Sequence, residues 1–148
     1  MKTLINKITT STAGLDTLPL RVGAGVIFAG HGAQKLFGWF GGYGLEGTAG
    51  WMTSIGLEPG LLMATMAGGA EFIGGLLLIV GLLVRPAALM LAVTMVVAIV
   101  TVHLPNGLFM ANNGYEFGLA LLAVSIGLMF RGAGSLSADR LLQAKLAS

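Results

Sequence analysis

The sequence contains no cysteine, and only 9% of its 148 residues are Asp, Glu, Lys or Arg. The first absence excludes a disulfide framework and any mechanism in which this chain's own thiols carry electrons. The second excludes an ordinary water-facing surface, since a soluble domain carries about 25% charged residues. With 55% hydrophobic residues and a mean hydropathy of +0.89, the surrounding solvent is expected to be largely lipid. Eight basic residues against six acidic ones leave a formal charge of +2. Scattered between apolar blocks, they form no stripe or groove for nucleic acid. No strand pattern is present, so no strand, glycine loop and helix can cradle phosphate, and the 24 glycines read as packing residues. No Glu-x-x-His repeat of the kind that builds metal sites in helix bundles occurs.

Four long apolar blocks remain, over about residues 18–37, 60–84, 86–104 and 114–130. About 20 helical residues cover the roughly 30 Å of bilayer hydrocarbon. Backbone polar groups must be satisfied internally in lipid, so these blocks are expected to be helices. The fold expected is an all-α membrane protein, a four-transmembrane-helix up-down bundle forming one domain over 1–148. Asp16-Thr17 before Pro19 and Glu58 before Pro59 read as helix starts. Arg85-Pro86 is expected to make the turn between the second and third spans. Between the first two spans, Trp51, Met52 and Ile55 suggest a short interfacial helix over 48–56. At the C-terminus, Ser137 can cap an amphipathic tail helix over 137–147, with Asp139 in its first turn and Leu136 stapled to Leu141. The polar run Thr9–Thr12 after Lys2 and Lys7 does not suit the apolar core of a cleaved signal peptide.

Lys and Arg set the expected orientation. Lys2, Lys7, Arg21, Arg85, Arg131, Arg140 and Lys145 fall on one side of a four-span arrangement and Lys35 alone on the other. By the positive-inside rule both termini are then cytoplasmic.

Ionisable residues inside spans are costly and are functional candidates by default. Glu71 falls near the midplane of the second span, about 16 Å from its start at 1.5 Å per residue. Its helical neighbours Ala67, Gly68, Gly74 and Gly75 are all small, which lets another helix approach and turns the carboxyl group into the bundle. His31 and Lys35 share a face of the first span, beside Gln34, and either can partner Glu71. His103, Asn106, Asn112, Asn113, Tyr115 and Glu116 gather at the turn between the third and fourth spans, on the same side of the membrane. Together His31, Lys35, Glu71, His103 and Glu116 are the expected ligand-binding set, with His103 and Glu116 at the mouth of a polar pocket. Plainer readings stand beside this one. A buried Glu–Lys or Glu–His pair can simply hold helix register, His103 can be an interfacial histidine, Glu116 and Tyr115 can be solvated, and Asn112 and Asn113 suit a turn. Axial haem ligation by His31 and His103 fits poorly, because their depths differ by about a turn. No metal site is expected.

The segments His31-Gly32-x-x-Lys35-Leu36-Phe37-Gly38, Ala70-Glu71-Phe72-x-Gly74-Gly75-x-x-Leu78, His103-x-Pro-x-Gly107 and Gly114-Tyr115-Glu116, with the late Asp139-Arg140, resemble the DoxX family of small membrane proteins. The resemblance runs from about residue 20 to 142. It implies a four-helix bundle in the bacterial cytoplasmic (inner) membrane. It also implies an association with redox biology: thiosulfate:quinone oxidoreduction, quinone or catechol tolerance, and complexes with superoxide-detoxifying and thiol enzymes. Two functions follow as expectations. One is a quinone- or small-molecule-binding subunit working with a redox enzyme partner. The other is a non-enzymatic scaffold or transport protein, alone or as a homo-oligomer, whose polar core binds a lipid or small solute.

Overall fold

The computed structural model describes residues 2–147, all of whose regular structure is helical. Lys2–Thr9 forms α1 and Thr17–Phe37 forms α2. Gly44–Ser54 forms α3, Gly60–Val80 α4 and Val84–Ala98 α5. Glu116–Arg131 forms α6 and Ala138–Ala147 forms α7. Met1 and Ser148, included in the expected domain, lie outside the described residues, as does the side chain of Lys2. Helix α2 packs along α4, α4 on α5, α5 on α6 and α6 back on α2, while α3 covers one end of α2 and α4. Phe28, Leu78, Val84, Leu91, Leu121 and Leu128 form the buried centre of this ring.

Two stretches among the described residues are long and apolar enough to cross a membrane, Gly60–Val80 and Val84–Asn106. Helix α2 has the length but carries Arg21, His31, Gln34 and Lys35, and α6 is only 16 residues long. Helix α2 packs on the first of these stretches and α6 on the second.

Glycine makes the α2–α4 contact possible. A Cβ on Gly75 would lie 2.5 Å from the Ala29 nitrogen, and one on Gly32 would lie 2.3 Å from the Phe72 nitrogen. Either would force the two backbones apart. Gly74 faces the other way, onto Leu91 of α5.

Several boundaries differ from the sequence expectation. The α4–α5 turn is Gly81–Leu83, not Arg85-Pro86. Gly81 and Leu83 both adopt left-handed backbone, φ 73° and 50°. Pro86 instead lies in the first turn of α5, where its missing N–H removes no helical bond. The third apolar block changes pitch rather than ending: α5 passes into a π-turn over Ile99–His103 and a 3₁₀ turn over Leu104–Asn106. The interfacial helix starts four residues early, at Gly44 rather than 48. Met52 is buried under it while Trp51 and Ile55 stay exposed, so these three do not share one membrane-facing side. Helix α1 is not among the elements expected from the sequence.

The end of the bundle that carries both termini is tied by polar contacts. Arg21, 1% exposed, donates to the Leu78 and Ile79 carbonyls at the end of α4 and to the Leu136 carbonyl. Asp139, also 1% exposed, accepts the Leu83 N–H at 2.8 Å and the Val84 N–H at 3.2 Å. It therefore caps α5 from across the chain rather than only complementing its own helix. Burial pushes the Asp139 carboxyl above its ordinary range, and the two N–H groups and the Arg21 charge pull it partly back. Arg85 donates to the carbonyls of Thr10 and Met129. The Ser137 hydroxyl caps α7 through the Arg140 N–H at 3.2 Å, as expected, whereas Leu136 and Leu141 are 61% and 69% exposed and make no staple.

Candidate functional site

At the opposite end, the Lys35 Nζ lies 2.6 Å from Glu71 Oε2. Glu71 is buried and the Lys35 side chain is about a quarter exposed, at 26%. Of the two expected partners for Glu71, Lys35 is the one that meets it. The pair is positioned by the glycine contact below it: Gly68, one turn before Glu71, lets the Lys35 Cβ and Leu36 pass over α4. The Lys35 carbonyl accepts the Thr48 hydroxyl at 3.2 Å, which fixes α3 against the same turn of α2.

His31 turns to the other neighbour. Its ring lies 6.1 Å from that of Phe117 on α6, tilted by 51°. It lines a cleft of about 310 Å³ with Val26, Ile27, Gly30, Gln34, Phe40 and Phe117. Among the described residues, neither ring nitrogen of His31 has a hydrogen-bond partner. The Gln34 amide donates to the Phe40 carbonyl at 3.3 Å. His31 and Gln34 are the only polar side chains on this cleft.

The two residues expected at the pocket mouth brace the loop between α5 and α6. The His103 Nδ1 is 2.9 Å from the Asn113 carbonyl, which fixes the proton on that nitrogen when the ring is neutral. Asn106 donates to the same carbonyl at 3.3 Å and to Val102 at 3.0 Å. Glu116 accepts the Met110 N–H at 2.7 Å. The five expected residues thus divide into three local groups: the Lys35–Glu71 pair, His31 on the α2–α6 cleft, and the His103 and Glu116 braces. Among the described residues, no three His, Asp or Glu side chains group as metal ligands.

Gln34, Phe40 and Phe117 were missing from the expected set. The spacing of Gln34 from His31 placed it near the site, but Phe40 and Phe117 carry no sequence signal beyond hydrophobicity. Phe40 has left-handed backbone, φ 54°, which is a strained state for a bulky residue and marks a position held by its surroundings.

Comparison with known proteins adds a family pattern. The DoxX family model matches residues 17–104. A Bacillus subtilis (strain 168) protein named "Putative oxidoreductase CatD" is 39% identical over 125 residues, covering 84% of this chain and 85% of that protein. An uncharacterized protein of Haemophilus influenzae is 37% identical over 78 residues, covering 53% of this chain and 52% of the relative. A second from the same organism is 36% identical over 80 residues, covering 52% of this chain and 60% of its own length. The chain therefore spans little more than half of the two Haemophilus relatives. No solved structure matches.

Proposed function

The chain belongs to the DoxX family, and from that premise we propose that it is a four-span protein of the bacterial cytoplasmic membrane that binds a quinone-type ligand on α2 and serves a redox partner. Helices α2, α4 and α6 cross the bilayer with α5 and its π- and 3₁₀-extension. The seven-to-one excess of Lys and Arg at the tied end puts both termini in the cytoplasm and the α2–α6 cleft in the outer half of the membrane.

The observation that carries this reading is the unpartnered His31, set with Gln34 in a cleft otherwise made of Val26, Ile27, Gly30 and the rings of Phe40 and Phe117. An apolar wall with a few convergent polar groups is the usual form of a small-molecule site. A quinone suits it chemically: the ring offers faces to Phe117 and Phe40, and its carbonyl oxygen can accept a hydrogen bond from His31. Lys35 keeps a cation beside the site, with Glu71 as its counter-charge. His103 and Glu116 hold the shape of the outer opening. With no cysteine to pass electrons, the chain acts as the binding platform. The two electrons of quinone reduction come from a partner oxidoreductase and the two protons from water at the outer surface. The name of the Bacillus relative is consistent with a redox setting.

Thermal unfolding in detergent with and without a short-chain quinone tests the reading. The wild type should be stabilised by the quinone, and His31→Ala should lose that shift relative to its own baseline. If no quinone stabilises the protein while phospholipid does, the ligand is a lipid and the chain is a non-enzymatic binding or scaffold protein.

A further inference from the structure

The cleft at His31 has a neighbour on the other side of α2. This second groove, also about 310 Å³, is lined by Val26, Ala29, Gly30, Ala33, Trp39, Phe40, Phe72 and Ile79 and has no charged or amide side chain. The two share Val26, Gly30 and Phe40. Each alone is at the lower end of the roughly 300–1,000 Å³ typical of ligand pockets. Joined, they would hold a ring and a chain.

Gly30 is where they join. The other glycines of α2 that face a neighbour have a packing reason: a Cβ on Gly25 would press on α4 at 2.7 Å from the Gly75 carbonyl, and Gly32 is likewise closed by Phe72. A Cβ on Gly30, like one on Gly23, would meet nothing within 4 Å, and of these two open glycines Gly30 is the one that lines both grooves. A glycine in a helix costs about 1 kcal/mol relative to alanine, so the fold gains nothing from keeping this one. What its bare backbone does provide is a low saddle across the ridge of α2, between Val26 and Gln34. Phe40 stands at the outer end of both grooves, 75% exposed, its carbonyl held by Gln34 and its ring edge-on to Trp39 at 6.4 Å.

We propose that one amphipathic ligand straddles α2 at Gly30, with its planar carbonyl-bearing head in the His31 groove and its aliphatic chain crossing the saddle into the α2–α4 groove. The chemistry of the two grooves sets the direction. The first offers the His31 imidazole and the Gln34 amide, and the second is apolar except for the Trp39 indole at its edge. The ligand class is a quinone that carries an isoprenoid or alkyl chain, and Gly30 is the residue that selects for the chain. This rests on the quinone reading above and adds to it a chain requirement. It also places entry from the bilayer, since both grooves open on the outer surface of the helix ring beside exposed Val26.

The test is a binding comparison in nanodiscs at equal mole fraction of ligand, using a methylnaphthoquinone with no chain and the same ring with a four-isoprenoid chain. Lipid solvates the chain as well as an apolar groove does, so the preference comes from packing alone, and the chained form should be favoured by about threefold in the wild type. Gly30→Leu fills the saddle without touching the packed core. It should fold with thermal stability at or above that of wild type and lose most of the preference, with Gly30→Ala intermediate; because Gly30 borders both grooves, the ratio of the two affinities within each variant is the quantity compared. A wild type that binds both forms equally, or a Gly30→Leu that keeps the preference, overturns the saddle while leaving the ring site in place. If neither form binds the wild type, the quinone reading fails and the saddle with it.

Discussion

Lys35 and Glu71 meet at 2.6 Å across a helix contact that only glycine permits, and the carboxylate of that pair is 4% exposed. Removing one member of a buried pair strands the other, at a cost of about 3–5 kcal/mol, whereas replacing both with apolar groups can be nearly neutral. Lys35→Met, which strands the buried Glu71, should therefore lower unfolding stability by about that amount, Glu71→Leu by less because Lys35 is partly exposed, and the two together should recover most of it. Chaotrope unfolding in detergent, read as a double-mutant cycle, checks this. Additive single effects would show that the pair is not coupled.

The glycine contact gives a second expectation. Gly75→Leu must displace the backbone of α2 at Ala29, and Gly74→Leu must displace Leu91 of α5. Overpacking of this kind costs about 1–3 kcal/mol or more. Ile73, 56% exposed on the same helix, supplies the control. Ile73→Ala should leave the detergent melting temperature within a degree or two of wild type, by the small effect expected of surface changes.

Asp139 fastens the tail by accepting the N–H groups of Leu83 and Val84. Asp139→Ala leaves both donors unsatisfied, which should cost about 1–3 kcal/mol and expose α7 to trypsin at Arg140. Its pH dependence has a definite sign. Burial raises its carboxyl pKa, so the folded protein holds that proton more tightly than the unfolded chain. The linked stability is present below the ordinary carboxylate value and is lost as pH rises through the raised one. Asp139→Asn should remove this slope from a pH series of melting temperatures.

The absence of cysteine makes topology simple to read. Single cysteines at Tyr43 and Asn112, both exposed at the Lys35 end, should be labelled in intact cells by a membrane-impermeant maleimide. Cysteines at Asn6 and Arg140, exposed at the tied end, should be labelled only after lysis. Labelling of Asn6→Cys in intact cells would reverse the orientation. Gly42 is unsuitable as a site, because a Cβ there would lie 2.3 Å from the Gln34 carbonyl.

How much of this the residues disclose depends on the range of each interaction. The small face around Glu71 and the capping Ser137 are local patterns at helical spacing, and the structure has both. The turn at Leu83 is not, since nothing in a leucine announces left-handed backbone, and the proline nearby drew the boundary to itself. Arg21 and Asp139 reach carbonyls and amides that lie 55–115 residues away, beyond any periodic signal. His31 and Lys35 show a subtler limit. Four residues apart they share a face, yet positions i and i+4 differ by about 40° around the helix. Because α2 lies between α4 and α6, that rotation sends Lys35 to Glu71 and His31 to Phe117. A common face was legible, but a common neighbour was not.

The central claim is that a quinone-type ring occupies the His31 cleft, and photo-crosslinking tests it most directly. An azido-quinone irradiated with the protein in nanodiscs, followed by peptide mapping, should place its label on α2 between Val26 and Gln34 and on α6 near Phe117. Excess unlabelled quinone should suppress that label, and His31→Ala should reduce it. Label spread over the exposed face of α5, at Leu89, Val93 and Val97, with no suppression by unlabelled quinone, would contradict the account.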